Sequence, residues 1–211
     1  MSGTVIAGAV FLATVAFMVR WEPGARERLQ TAAMDLYVSR GYDRTTAADI
    51  AQAVGLTERT FFRHFADKRE VLFSGQELLE QAFLDGVAAA APDASPLAMV
   101  ESALSSAATF FADGRRDHSR RRQTIISANP ALQERELLKL AGLATAVAAA
   151  LRSRGVPAAT AELAAQSGVT VFTVAFGKWI AEGEQQPFPA LQREVLDEFA
   201  AMAAGSTPTP G

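Results

Sequence analysis

Apolar residues recur every three or four positions along most of the chain, in segments separated by residues that commonly end helices. In the first segment, Leu29, Ala33 and Leu36 lie on one face, and Gly41 follows its basic last residue. No stretch alternates apolar and polar residues with the two-residue period of a strand. We therefore predict an all-α fold, with helices over about residues 24–40, 46–55, 57–65, 67–90, 96–112, 115–128, 130–154, 157–182 and 189–204.

The composition agrees with this pattern and excludes several kinds of site. Alanine, the best helix former, accounts for 43 of the 211 residues. The chain has no cysteine and only two histidines, so we expect no disulfide, no metal site and no cofactor. The adjacent residues Asp117, His118 and Ser119 point in different directions on a helix and cannot form a catalytic triad. We therefore predict that the protein is not an enzyme.

The first 22 residues form a separate apolar extension. Residues 4–19 carry no charge, and as a helix this run would be about 24 Å long, just under the length that spans a bilayer. Three interpretations remain open: an extension upstream of a true start at Met18, a short membrane anchor, and a signal-like segment. At the other end, residues 206–211 are rich in Pro, Ser and Thr and predict a disordered tail.

Two short helices near the N-terminus have the layout of a helix-turn-helix unit. Thr46 and Asp49 form a capping-box pattern at the start of the first helix, and Thr57 caps the second. At about 100° per residue, the second helix places four polar side chains within an arc of about 140°, with Phe61 and Phe65 on the opposite side. Arginines on such a face can form paired hydrogen bonds with guanine in the major groove. This groove face consists of Arg59, Thr60, Arg63 and His64.

Residues 46–68 resemble the DNA-binding domain of the tetracycline-repressor (TetR) family of transcriptional regulators. The resemblance covers about residues 23–83 and includes the helix-turn-helix, the Thr-Phe-Phe-Arg-His-Phe run and the lysine that follows it. It implies a cytoplasmic homodimer with an N-terminal DNA-binding domain, residues 23–83, and a C-terminal helical domain, residues 84–205, for effector binding and dimerisation. A cytoplasmic DNA-binding domain also argues against export of the chain.

The resemblance assigns a role in DNA binding to eight residues. Two threonines would contact phosphate as well as cap helices, three groove-facing side chains would read bases, and a histidine and a lysine would anchor the DNA backbone. The phosphate-contacting threonines are Thr46 and Thr57, and the base-reading side chains are Arg59, Thr60 and Arg63. The backbone anchors are His64 and Lys68, and the eighth residue is Phe62. The family commonly has a small residue at the position of Arg59 and often a tyrosine at that of Phe62. Arg59 is therefore a candidate for added specificity, and Phe62 lacks a hydroxyl for a phosphate hydrogen bond.

The last two predicted helices carry apolar stripes that we expect to form the dimer interface. Two helices from each subunit would make a four-helix contact around a two-fold axis. The alternative is that these residues belong to the core of the single chain. The predicted interface residues are Val169, Phe176, Ile180, Leu191, Val195 and Phe199.

Two further features of the C-terminal segment concern ligand binding. The aromatic candidates for an effector pocket are Phe83, Phe110, Phe111, Phe172, Phe176 and Trp179. A basic run allows three interpretations: an anion-binding rim, a hinge against the DNA-binding domain, and a solvated helix face, of which the pattern favours the last. The run consists of Arg115, Arg116, His118, Arg120, Arg121 and Arg122.

Together these features predict a ligand-responsive transcriptional repressor. It would bind a palindromic double-stranded DNA operator as a cytoplasmic homodimer and be released by a small-molecule effector. Two alternatives remain: the same DNA-binding module tethered to the membrane by residues 4–19, and an activator. Residues 20–75 carry nine basic and eight acidic side chains, so DNA affinity should come from a few well-placed cations rather than a broad positive field.

Overall fold

The computed structural model describes residues 24–205, and this part of the chain consists of helices and connecting turns, with no strand. The all-α prediction is confirmed. The predicted N-terminal extension and C-terminal tail, residues 1–22 and 206–211, lie outside the described residues. Among the helices that are described, none combines the length and apolarity needed to cross a bilayer. The α-helices are α1 (Ala25–Arg40), α2 (Ala47–Ala53), α3 (Glu58–His64), α4 (Gln76–Ala89), α5 (Pro96–Ala108), α6 (Arg116–Ser127), α7 (Pro130–Ser153), α8 (Ala158–Ile180) and α9 (Phe188–Ala203).

Helices α1, α2 and α3 form a three-helix unit, the N-terminal unit, in which the two short helices begin at capping threonines. The Thr46 hydroxyl accepts a hydrogen bond from the Asp49 amide at 3.1 Å, and the Asp49 carboxylate accepts one from the Thr46 amide at 2.9 Å. The predicted capping box is therefore confirmed. Gly55 makes the turn to α3 with a φ of 71°, a left-handed conformation that is costly for residues with a Cβ. The side chains buried at the centre of the unit are Leu29, Ala33, Ile50, Ala51 and Phe61.

Helix α4 begins at Gln76 rather than at residue 67, where the sequence pattern placed its start. Asp67 does cap a turn, since its carboxylate accepts hydrogen bonds from two backbone amides. The chain then continues as turns up to Gly75, the left-handed N-cap of α4. The reason is the apolar triplet 71–73, because three consecutive side chains on a helix spread over about 200° and cannot all face one core. In the observed turns all three are buried against the N-terminal unit.

A second apolar core lies among the C-terminal helices, where α8 packs against α5, α7 and α9. Aromatic rings fill much of it. The ring centroid of Phe111 lies 5.5 Å from that of Phe172, 5.7 Å from that of Trp179 and 4.6 Å from that of Phe188. Edge-to-face and tilted contacts of this kind add to the stability that comes from burying the rings.

The corner between α6 and α7 completes the N-terminal core, although it belongs to the C-terminal segment. Ile125, Ile126 and Leu132 are buried in the same apolar cluster as Leu29 and Met34 of α1. The boundary expected between residues 83 and 84 stays a prediction, but one of the two cores extends across it. The N-terminal unit is therefore packed onto the C-terminal helices rather than joined to them by a linker alone.

The residues expected at a dimer interface are partly or fully covered by the chain's own helices, and their role in a dimer stays a prediction. Val169, Leu191 and Val195 are buried in the C-terminal core, and the other three, Phe176, Ile180 and Phe199, are half-buried against it. The sequence pattern located the apolar faces of α8 and α9 correctly, but the chain's own helices cover those faces. The outward face of α8 instead carries Leu163 and Val174, which are 70% and 46% exposed.

Close packing of α4 on α5 yields a test of the fold. A methyl group on Gly86 would lie 2.5 Å from the Cα of Ala103 and 2.6 Å from the carbonyl oxygen of Ser102, so Gly86→Ala must push the two helices apart. We expect the free energy of unfolding to fall by about 1–3 kcal/mol in urea denaturation.

The matched control is Gly142→Ala on α7, where a new methyl group has no neighbouring atom within 4 Å. Because alanine favours the helix over glycine, this variant should gain about 1 kcal/mol. Equal responses of the two variants would contradict the close approach of α4 and α5.

Candidate DNA-binding surface and internal cavity

Helix α3 separates an exposed polar face from a buried aromatic face. Its first turn is held by the Thr57 hydroxyl, which accepts a hydrogen bond from the Thr60 amide at 3.2 Å and lies 3.0 Å from the Thr60 hydroxyl. Arg59 and Arg63 are exposed, whereas Phe61 is fully buried. The structure thus brings the predicted groove-face side chains together on one helix, on which Arg59 and Arg63 are both exposed.

Phe62 lies at the edge of the groove face and is 51% exposed. Its ring packs edge-on against Phe61, with centroids 5.4 Å apart and planes at 89°. Because the buried Phe61 holds one edge of the ring, the other side presents an apolar surface beside the arginines.

His64 is only half-buried at the end of α3, but its Nε2 atom is shielded from solvent and has no hydrogen-bond partner among the described residues. The imidazole lies next to the ring of Phe65, with centroids 6.5 Å apart. Its contact with the DNA backbone stays a prediction.

Thr46 differs from the exposed arginines because its hydroxyl is fully engaged in the capping box. It donates to a carboxylate oxygen of Asp49 at 2.6 Å as well as accepting from the Asp49 amide. The hydrogen bonds that the Asp49 carboxylate accepts from the Thr46 hydroxyl and the Thr46 amide lower the pKa of that carboxyl below its usual range. Any phosphate contact at Thr46 would therefore involve the exposed helix start rather than a free hydroxyl.

Lys68 is not placed as a free anchor for the DNA backbone. Its ammonium group donates to the carbonyl oxygens of Tyr42 at 2.8 Å and Thr45 at 2.9 Å, and lies 4.3 Å from the centroid of the Tyr42 ring. Tyr37 in turn donates its hydroxyl hydrogen bond to the Lys68 carbonyl at 2.6 Å. Lys68 thus ties the segment between α1 and α2 to the turn behind α3, and it positions the helix-turn-helix from within.

Two exposed arginines precede α2 and were not selected from the sequence. Arg40 ends α1, and Arg44 lies two residues before the capping Thr46; the Arg44 Nε donates to the Arg40 carbonyl at 2.6 Å. The sequence signal that could have identified them as DNA-contacting residues is a pair of basic residues shortly before a capped helix start, where the helix dipole also attracts anions.

A cavity of about 650 Å³ lies between the N-terminal unit and the C-terminal helices. Its apolar wall includes the predicted Phe110, Phe111, Phe172 and Phe176. Phe83 and Trp179 do not line it, because both are almost completely buried in the core behind that wall. The wall also includes α1, through Glu27, Gln30, Thr31 and Met34, a contribution that the sequence pattern did not indicate.

The basic run is not the solvated helix face that the sequence pattern favoured. Arg116 is buried and donates to the carbonyls of Glu184 and Gln186, the latter at 2.5 Å. Arg120 donates to the carbonyls at the end of α8, those of Ile180 at 2.8 Å and Ala181 at 2.6 Å. These guanidinium groups satisfy carbonyls that a helix end and the following turn leave free.

Helix α6 also makes contact with the N-terminal unit, through the two arginines that follow Arg120. Arg121 pairs with Asp35 of α1 at 2.6 Å. Arg122 donates to the carbonyl of Leu72 at 2.6 Å and pairs with Glu136 of α7 at 3.0 Å. Helix α6 therefore links the end of α8 to α1, which matches the hinge interpretation of the basic run.

The fold and the exposed basic face of α3 define a helix-turn-helix DNA-binding protein with a C-terminal helical domain. Residues 29–74 match the family described as bacterial regulatory proteins, tetR family, and residues 94–204 match the family described as MftR C-terminal domain. The chain belongs to the tetR family, and the protein is a DNA-binding transcriptional regulator.

Similar proteins agree with this assignment. A stretch of 89 residues is 35% identical to the HTH-type transcriptional regulator TcmR of Streptomyces glaucescens, and it covers 42% of this chain but only 39% of that protein. A TetR-family regulator structure from Mesorhizobium loti superposes with a TM-score of 0.54 at 19% identity, over 85% of this chain and 95% of that one. FadR of Thermus thermophilus, solved in complex with lauroyl-CoA, superposes with a TM-score of 0.51 at 23% identity, over 88% of this chain and 99% of that one. At these identities the two structures establish a shared fold.

The position of Lys68 leads to a prediction about stability. Lys68→Met removes the donor for two backbone carbonyls in the α1–α2 segment, so we expect a loss of about 1–3 kcal/mol in unfolding free energy measured by urea denaturation. Arg69→Met, which breaks an exposed pair with Asp67, is the control and should cost clearly less. Stability unchanged in Lys68→Met would contradict its role as an internal tie.

Proposed function

We propose that the protein is a ligand-responsive repressor that binds a palindromic operator as a homodimer and leaves it when a small molecule occupies the cavity. The observation that carries this proposal is the cavity wall, to which both α1 and the C-terminal helices contribute. A molecule bound there would touch the DNA-binding unit directly. Its volume lies within the roughly 300–1,000 Å³ typical of sites for small organic molecules.

DNA reading rests on α3. Arg59 and Arg63 are the groups suited to paired hydrogen bonds with guanine, and Thr60 lies beside Arg63 on the groove face. Thr46, Thr57 and His64 would contact the DNA backbone around the helix starts and the end of α3. The half-exposed ring of Phe62 would add an apolar contact at the edge of the groove.

The two exposed arginines of α3 should govern sequence preference. Arg59→Ala and Arg63→Ala are each expected to remove about 1–3 kcal/mol of discrimination between the selected operator and scrambled DNA, measured in gel shifts at fixed salt. Arg44→Ala should instead weaken binding to all duplexes alike. Arg193→Ala, an exposed arginine on α9, is the control. Unchanged discrimination in both α3 variants would refute the assignment of the recognition helix.

The homodimer would form on the outward face of α8. Leu163, Gln166, Thr170 and Val174 are all exposed and recur at spacings of three and four residues, so they lie in one stripe opposite the buried face of the helix. A two-fold axis would bring this stripe against its copy. The half-sites of a palindromic operator, about 34 Å apart, then require two DNA-binding units at a matching separation.

A charge in the stripe should disrupt the dimer without disrupting the fold. Val174→Asp is expected to sediment as a monomer and to lose affinity for the full operator, because two carboxylates would meet at the contact. Leu137→Asp changes a leucine on α7 that is 67% exposed and serves as the control. A Val174→Asp dimer that survives dilution would place the interface elsewhere.

Release by the effector would act through α6. This helix lines the cavity and also joins α8 to α1 through Arg120 and Arg121. A ligand that fits the cavity better in one arrangement of α6 would favour that arrangement and so change the angle of the DNA-binding units. The ligand can shift the equilibrium between the two arrangements by no more than its difference in affinity for them. The structural relative SmeT from Stenotrophomonas maltophilia, named as a repressor, shares the fold with a TM-score of 0.52 at 19% identity.

The function as a whole is tested by selecting bound sequences from random duplexes with the purified protein and placing the selected site beside a reporter promoter. We expect a palindrome and reduced reporter expression. A single unpaired half-site would contradict binding as a dimer, and increased expression would favour the activator alternative.

A further inference from the structure

The cavity has two chemically different sides. The side formed by the end of α5, α7 and α8 is apolar and includes Phe110, Phe111, Leu140, Leu143, Phe172 and Phe176. The facing side includes Arg115, the residue directly before α6, and residues at successive turns of α6, and these carry positively charged or hydrogen-bond-donating groups. This α6 cavity face consists of Arg115, His118, Ser119 and Arg122.

The donors on the α6 cavity face are not all engaged within the protein. Arg122 is occupied by Glu136 and the Leu72 carbonyl. Arg115, in contrast, is exposed, and among residues 24–205 its guanidinium group has no hydrogen-bond or ion-pair partner. His118 and Ser119 likewise have side chains without hydrogen-bond partners in the described part of the chain. Three adjacent donors therefore face the cavity without an acceptor.

The electrostatic environment of this face is positive. Partial burial lowers the pKa of His118, and the nearby Arg121, Arg122 and Arg115 lower it further. The carboxylates on the cavity wall lie on other helices: Glu27 on α1, Glu80 on α4 and Glu136 on α7, where Arg122 pairs with it. A negative group on a ligand would meet its opposite charge on α6.

We propose that the effector is an amphipathic organic anion, whose apolar, ring-containing body packs against the phenylalanines and whose acidic group is bound by Arg115 and His118. This inference rests on the proposed function, because it uses the same cavity. The guanidinium group suits carboxylate, sulfonate and phosphate oxygens alike, since each offers two acceptors in one plane. Binding of such a group to α6 would pull directly on the helix that links α8 to α1.

Two fluorescent probes with the same aromatic body test the role of the charge: 8-anilinonaphthalene-1-sulfonate and the uncharged N-phenyl-1-naphthylamine. We expect the full-length protein to bind both and to prefer the sulfonate. Arg115→Gln should weaken binding of the sulfonate by roughly tenfold and leave the neutral probe unchanged. Arg152→Gln, an exposed arginine in the last turn of α7, is the control.

A second pair of variants tests whether the probes occupy the cavity. Gly177 lies on the cavity wall and has open space at its Cβ position, so Gly177→Leu should fill part of the cavity and weaken binding of both probes. Gly142→Leu has equally open surroundings away from the cavity wall and is the matched control.

The outcomes separate this inference from the proposed function. Weaker binding of both probes by Gly177→Leu would show that the cavity holds ligands. The anion preference is refuted if the wild type then binds the two probes equally, or if Arg115→Gln weakens binding of both probes to the same extent. If neither probe binds, or if Gly177→Leu and Gly142→Leu behave alike, the cavity fails as an effector site and the ligand-responsive part of the proposed function fails with it.

Discussion

The packing of the α6–α7 corner into the N-terminal core is the constraint on which the rest of the structure depends. Ile125, Ile126 and Leu132 are buried among side chains of α1, and each contributes roughly 1.5–3 kcal/mol by leaving water. A segment of the C-terminal domain therefore completes the core of the DNA-binding unit, and the two parts share apolar contacts across the domain boundary. The ion pair of Arg121 with Asp35 flanks the same contact and orients it.

This arrangement makes the cavity a shared space. The DNA-binding unit supplies one wall, α7 and α8 supply the apolar wall, and α6 lies between them. A ligand therefore does not need a long chain of intermediate residues to reach the DNA-binding surface, since α6 contacts both the ligand site and α1. The coupling would be carried by a single packed helix, in which the neighbouring residues Arg120 and Arg121 contact the end of α8 and α1.

Many of the cationic side chains serve as internal hydrogen-bond donors. Lys68 holds the α1–α2 segment, Arg120 caps α8, and Arg154 donates to carbonyls at the end of α4, those of Val87 at 2.6 Å and Ala91 at 2.8 Å. Arg120 and Arg154 are committed to carbonyl groups at helix ends, and Lys68 to carbonyls of the loop before α2. The DNA-binding surface is left with a few exposed arginines, so its contacts must be well placed rather than numerous.

The sequence alone determined the elements whose causes are local. The capping box of Thr46 and Asp49, the helices that start at Thr57 and Ser95, and the division of α3 into polar and aromatic faces all depend on neighbours within one or two turns. Only the tertiary structure decided what covers each apolar face and what each cation contacts. Val195 of α9 faces its own core, the triplet 71–73 leaves the helix to be buried, and Lys68 binds carbonyls more than 20 residues away. Periodicity shows which side of a helix is apolar, but the partner that buries it is chosen by contacts between distant segments.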